Sequence, residues 1–143
     1  IRYVASTQKP LLISTGMASE LEIQEAVEAA YDSGCKELLL LHCVSSYPAP
    51  IEQTNLKQMA ALLDRFDVPI GLSDHTLGTT VSIAAVALGA CLVEKHFILS
   101  RDQKGPDSEF SLEPREFSNL CVASREAWSS LGVSSFAMGN KVW

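Results

Sequence analysis

Two short stretches carry the side chains best suited to chemistry. "GLSDHTLG" (71–78) sets Ser73, Asp74 and His75 in a row after an apolar run, and "VEKHF" (93–97) sets Glu94 and His96 after another. If both runs are β-strands, alternation puts Ser73 with His75 on one face and Glu94 with His96 on one face, and turns Asp74 the other way. The ends of adjacent strands lie about 5 Å apart, so imidazoles projecting from both can reach one divalent cation. Two histidines leave coordination positions open for substrate and water, which suits a catalytic metal. The same spacing also suits two partly buried, hydrogen-bonded histidines, and no HExxH-like motif decides between the readings. Glu94 is a candidate acid/base beside such a metal, or equally an acceptor that orients a ligand histidine. Asp74 reads as structural, holding the next loop through backbone N–H groups.

A second set is quieter. Ser14, Ser45 and Ser73 each follow an apolar run at comparable positions. With Gly16 near the first, they offer O–H and N–H donors to a phosphate or carboxylate. Each serine alone is also an ordinary turn or cap residue. Asp107, behind Gly105 and Pro106 in "RDQKGPDSEFSLEP", can close over a site from a long loop or sit on a solvated turn. His42, inside "LLLLHCV", belongs at the edge of the core.

These side chains need elements to hold them. The runs "PLLIST" (10–15), "ELLLLHC" (37–43), "VPIGLS" (68–73) and "ACLVEKHF" (90–97) lack polar alternation, as strands buried on both faces of a parallel sheet do. Helical patterns lie between and after them. "SELEIQEAVEAAYDSG" has Ser19 as N-cap, Glu22 completing a capping box, a stripe of Ile23, Ala26, Val27 and Ala30, and Gly34 as its stop. "NLKQMAALLDRF" (55–66) sets Leu56, Met59, Ala60 and Leu63 on one face, and "TTVSIAAVALGA" predicts a well-buried helix ending at Gly89. The last helix has Ser111 as expected N-cap, Pro114 in its first turn, and Phe117, Leu120, Cys121, Ser124 and Trp128 at core spacing. The order is β-α-β-α-β-α-β-α, an α/β protein with parallel strands joined by right-handed crossovers. Polar residues at the C-terminal end of every strand favour half of a TIM (β/α)8 barrel over an open sheet with one switch point. Residues 1–8 read as the tail of an upstream element, 9–132 as the half-barrel, and 133–143 as a terminal linker.

Composition narrows the partners. The 143 residues are 47% hydrophobic, with a net charge of −6, so a folded domain is expected whose field disfavours nucleic acid and anionic membranes. The longest apolar stretch, "VSIAAVALGACLV", falls short of the roughly 20 residues a bilayer span needs. Cys35, Cys43, Cys91 and Cys121 lack CxxC spacing and read as buried, reduced thiols, which points to the cytoplasm.

With the strand ends laid out, the chain resembles bacterial N-acetylneuraminate (sialic acid) synthases and their relatives that make pseudaminic and legionaminic acids. The segments that carry the likeness are "KPLLISTGMAS", "LLHCVSSYPAP", "NLKQM", "VPIGLSDHTLG", "AVALGACLVEKHF" and "KGPDSEFSLEP", from about Lys9 to Gly132. The resemblance implies condensation of phosphoenolpyruvate with N-acetylmannosamine or a related amino-sugar and water, giving a nonulosonic acid and phosphate. It implies His75 and His96 as ligands of a divalent metal, Mn2+ first and Mg2+ or Co2+ as alternatives, which makes the sugar aldehyde electrophilic. Glu94 is then the residue that moves protons, Ser14, Ser45 and Ser73 take phosphoenolpyruvate-binding positions, and Tyr47 and Asp107 take sugar-contacting ones. In such synthases these segments are barrel strands five to eight, a preceding half-barrel and a C-terminal antifreeze-like domain complete the chain, and the full-length protein is a homodimer. The stretch alone, with neither complement, is expected to be inactive. Two other classes stay open: a non-catalytic metal- or anion-binding half-barrel, and a metal-dependent aldolase that uses pyruvate without releasing phosphate.

Overall fold

Strand β1 (Leu11–Ser14), β2 (Leu38–Cys43), β3 (Ile70–Asp74) and β4 (Val93–Lys95) pair in parallel, in the same order in the sheet as in the chain. The computed structural model that gives this arrangement describes residues 1–133, so the linker expected at 133–143 lies almost wholly outside the described residues. Helices α1 (Arg2–Ala5), α2 (Glu20–Asp32), α3 (Gln58–Phe66), α4 (Thr80–Ala87) and α5 (Pro114–Leu131) precede, separate and follow the strands. Unbroken sequential order is that of a barrel segment, since a doubly wound sheet reverses direction at a switch point. The chain is a half-barrel, as the strand-end polarity predicts.

Alternation along the strands separates two faces. Leu38, Leu40, Ile70 and Leu72 turn toward the helices and bury against Ile23, Val27, Ala30, Met59, Leu62, Val81 and Ala85. The other parity, including Leu12, Leu39, Leu41, Cys43, Ser73 and Glu94, faces what would be the barrel interior. Gly71 belongs to that inner face. A Cβ there would come within 2.6 Å of Leu41 Cδ2 and 2.7 Å of the Leu92 carbonyl oxygen, so only glycine lets β2 and β4 close in around it. Among the described residues β1 pairs only with β2 and β4 only with β3. Leu12, on the inner face of an edge strand, is 45% exposed.

Helix α2 follows expectation, with Ser19 and Glu22 forming a reciprocal capping box and Ile23, Val27 and Ala30 buried. Helix α3 starts three residues later than the pattern predicts. Asn55 takes φ +39°, and residues 55–57 form a turn ahead of the helix. The buried face is also rotated: Met59 and Leu62 are buried while Leu63 is half exposed. Helix α4 ends at Ala87, two residues before the predicted end at Gly89, and Leu88 faces out.

The start of α5 needs a correction. Glu113, not Ser111, is its N-cap, in a reciprocal box with Glu116. The Ser111 hydroxyl instead donates to the Asp107 carbonyl at 2.6 Å and braces the preceding loop. Of the expected core stripe only Leu120 is buried, and Trp128 is 69% exposed. These residues line an open apolar cleft of about 540 Å³ against Val86, Leu92 and Val93; among the described residues no strand pairs with β4 on that side. The thiols are free, but only Cys35 is buried; Cys91 is exposed in the turn before β4.

Candidate active site

The C-terminal ends of β3 and β4 bring the two sequence motifs together. Ser73 stands opposite Glu94 in the strand register, and Asp74 opposite Lys95. Parity then sends Ser73, His75, Glu94 and His96 to the inner face and Asp74 with Lys95 to the outer. The inner four border a recess of about 230 Å³.

His75 and His96 approach edge to face, with ring centroids 5.4 Å apart and planes at 70°. His75 Nδ1 lies 2.8 Å from the Val44 carbonyl oxygen. A carbonyl only accepts, so Nδ1 carries the proton and the Nε2 lone pair is left available for a metal. Nδ1 of His96 lies 3.7 Å from Asp107 Oδ2, close but beyond hydrogen-bond distance. Among the described residues no group of three or more His, Cys, Asp or Glu is placed to hold a metal. The candidate donors are therefore the two imidazoles alone, a set compatible with a divalent cation whose remaining positions are left to substrate and water.

Glu94 is held by Ser73, whose hydroxyl donates to Oε1 at 2.6 Å. Ser73 Oγ also sits 3.4 Å from His75 Nε2, so carboxylate, hydroxyl and imidazole form one chain of contacts. Tyr47 stacks on His75 with centroids 4.2 Å apart, although it is half exposed in the loop after β2. Asp107 is beside His96 already, in a loop pinned by the Ser108 and Ser111 hydroxyls, so it borders the site without any closing motion.

The three serines do not share one level. Ser14 is in register with Leu41, whereas Ser73 is in register with Cys43, one inward-facing residue further along β2. Ser45 is exposed beyond the end of β2. It packs against Gly16, where a Cβ would fall 2.3 Å from Ser45 Oγ. His42 is buried on the helix side, with Nε2 2.7 Å from the Thr54 carbonyl oxygen, as its apolar neighbours suggest.

Three contributors escape the sequence. The Val44 carbonyl sets the His75 tautomer, and a backbone group has no residue type to betray it. Phe110 is buried with its ring 4.9 Å from that of His96, and its place in a polar loop gives little hint of this. Lys95 borders the recess, yet its ammonium turns to the outer face and pairs with Asp74 at 3.0 Å. Burial by itself would raise the Asp74 pKa. Hydrogen bonds from the Ser82 hydroxyl, the Thr76 N–H and Lys95, with the Lys95 charge, outweigh it and hold the carboxyl below its usual range.

Known proteins share this fold. The N,N'-diacetyllegionaminic acid synthase of Campylobacter jejuni is 45% identical over 134 residues, covering 92% of this chain and 40% of that protein. The pseudaminic acid synthase of the same organism is 40% identical over 142 residues, 99% of this chain and 41% of that protein. The chain thus spans about two-fifths of the length of these curated relatives. Among solved structures, the N-acetylneuraminic acid (sialic acid) synthetase of Leptospira borgpetersenii superposes with a TM-score of 0.92 at 34% identity, over 97% of this chain and 48% of that one. A phospho-2-dehydro-3-deoxyheptonate aldolase of Thermotoga maritima shares the fold, with a TM-score of 0.78 at 20% identity. The NeuB family model matches residues 1–135, nearly the whole chain, so this chain belongs to the NeuB family.

Proposed function

We propose that these residues work as strands five to eight of a synthase barrel that condenses phosphoenolpyruvate with N-acetylmannosamine or a related amino-sugar, releasing a nonulosonic acid and phosphate. Family membership supports the reaction class. The observation that carries the reading to the chemistry is the facing pair His75 and His96, with the His75 Nδ1 bound to the Val44 carbonyl, beside the Ser73-held Glu94.

A divalent metal, with Mn2+ the first candidate and Mg2+ or Co2+ the alternatives, would be held by the two Nε2 atoms and would supply Lewis-acid polarisation of the sugar aldehyde. The protein's own groups do the rest. Glu94, oriented by Ser73, takes and returns protons at the water that adds to carbon 2 of phosphoenolpyruvate. Carbon 3 forms the new bond to the aldehyde carbon, and phosphate leaves by C–O cleavage. Ser14 and Ser45, with Ser73 where its hydroxyl is free, bind the carboxylate and phosphate of phosphoenolpyruvate. Tyr47 and Asp107, flanking the histidines, contact the sugar. The complete enzyme is proposed to be a cytoplasmic homodimer, as the resemblance implies. Among the described residues no helix is long and apolar enough to cross a membrane.

Phosphate release from phosphoenolpyruvate and N-acetylmannosamine, assayed with Mn2+ in the full-length chain, tests the reading. Turnover is expected, with a loss of at least about a thousandfold in His75→Ala. Product formation from pyruvate without phosphate release would instead indicate an aldolase, and unchanged turnover in His75→Ala would sink the metal assignment.

A further inference from the structure

We propose that the buried Asp74–Lys95 ion pair is a positioning pair, which sets His75 and His96 at the separation one cation needs by tying their strands together from the opposite face. The inference rests on the metal reading of the site. The strand ladder between β3 and β4 stops at Asp74 opposite Lys95, so each histidine lies one residue past the last paired position. No ladder hydrogen bond joins His75 to His96. The nearest cross-strand tie is the ion pair itself, 3.0 Å long, with side chains 0% and 1% exposed.

Further hydrogen bonds make the tie rigid. Lys95 Nζ also donates to the Thr76 carbonyl at 2.6 Å, reaching past His75 on the far side of β3. Asp74 Oδ1 accepts from the Thr76 N–H and hydroxyl, both at 2.8 Å, and Oδ2 accepts from the Ser82 hydroxyl on α4. His75 is thus clamped between two residues anchored to one carboxylate. Among the described residues no buried side-chain polar atom lacks a partner, so the network is complete.

Stability alone does not explain the arrangement. A buried ion pair is weak evidence for stability, because apolar residues of similar volume often do as well or better. Such a pair can, however, hold geometry, since its charged hydrogen bonds tolerate little displacement before the desolvated groups go unpaired. Here each partner sits between two inner-face residues, Ser73 and His75 on one strand and Glu94 and His96 on the other. A shift of either strand would therefore move a histidine.

Asp74→Asn with Lys95→Met removes the ionic tie while leaving an amide oxygen for the Thr76 N–H. Mn2+ binding to the substrate-free full-length chain, followed by electron paramagnetic resonance alongside thermal unfolding, is the measurement. The Mn2+ Kd is expected to rise at least tenfold while the protein stays folded, with kcat falling and the sugar KM rising. A folded double variant with unchanged Mn2+ affinity would overturn the proposal. If the double variant does not fold, Ser82→Ala, which loosens Asp74 but keeps both charges, carries the test: a two- to fivefold rise in Kd supports it and an unchanged Kd overturns it. His75→Ala separates the two readings. Retained Mn2+ binding in that variant brings down the metal site itself, whereas lost binding there with an unaffected pair variant brings down only the positioning role.

Discussion

The Ser73 hydroxyl donates to Glu94 Oε1 across neighbouring strands, between residues that stand opposite each other in the register. A hydroxyl has one proton, so while Ser73 serves Glu94 it has none to give an incoming anion. Orienting the carboxylate is therefore its first task in this arrangement. Ser73→Ala is expected to lower kcat about tenfold, the scale of a hydrogen bond to a charged group, with a smaller change in the KM for phosphoenolpyruvate. Steady-state kinetics distinguish this from an anion-binding role, which would raise that KM and leave kcat near its original value. Glu94→Gln should cost about 10²- to 10⁴-fold in kcat while Mn2+ remains bound.

Gly71 makes a prediction about the barrel wall. A methyl group there meets Leu41 Cδ2 and the Leu92 carbonyl oxygen at well under van der Waals contact. The leucine tip can turn aside, but the carbonyl is backbone and can move only if β4 moves with it. Gly71→Ala should destabilise the full-length chain by about 1–3 kcal/mol in chemical denaturation, as overpacking does. It should also weaken Mn2+ binding, since β4 carries His96. A neutral effect on both would mean that the strands part without cost.

The loop that bears Asp107 should loosen in acid. Glu116 accepts the Glu113 N–H at 2.9 Å and pairs with Arg101, and the Glu113 hydrogen bond first, then Arg101, hold its carboxyl below the usual glutamate range. A carboxyl with a depressed folded pKa adds stability above its unfolded pKa, and that stability is lost as pH falls through the folded value. The contribution is thus whole at neutral pH, begins to fall as pH drops into the ordinary glutamate range, and is lost once pH passes below the lowered folded value. Amide exchange in residues 98–113, compared at neutral and acid pH, should show increased opening in acid. Glu116→Gln should already be looser at neutral pH and should lose most of that dependence, whereas an unaltered acid response in this variant would remove Glu116 as the cause.

The half-barrel was legible because its signals are local. Continuous apolar runs mark strands buried on both faces, and period-two alternation is enough to place Ser73 with His75, Glu94 with His96, and Asp74 on the reverse face. The capping box at Ser19 and Glu22 is likewise readable, since both partners lie within one turn. Errors came where distant packing decides. The 3.6-residue pattern proposes faces for α3 and α5, but which face is buried depends on what lies opposite, so Leu62 replaced Leu63 and Trp128 was left in an open cleft.

By itself, then, the sequence determined the order of the strands' chemistry: which side chains face inward, and that two histidines and a glutamate sit at neighbouring strand ends. Tertiary structure alone decided what each of them does with its remaining bonds. The Val44 carbonyl directs the His75 proton, Phe110 packs on His96, Ser73 commits its proton to Glu94, and Lys95 crosses to Asp74. Each depends on groups from separate strands or loops meeting within about 3–5 Å, and alternation along a single strand carries no information about that distance.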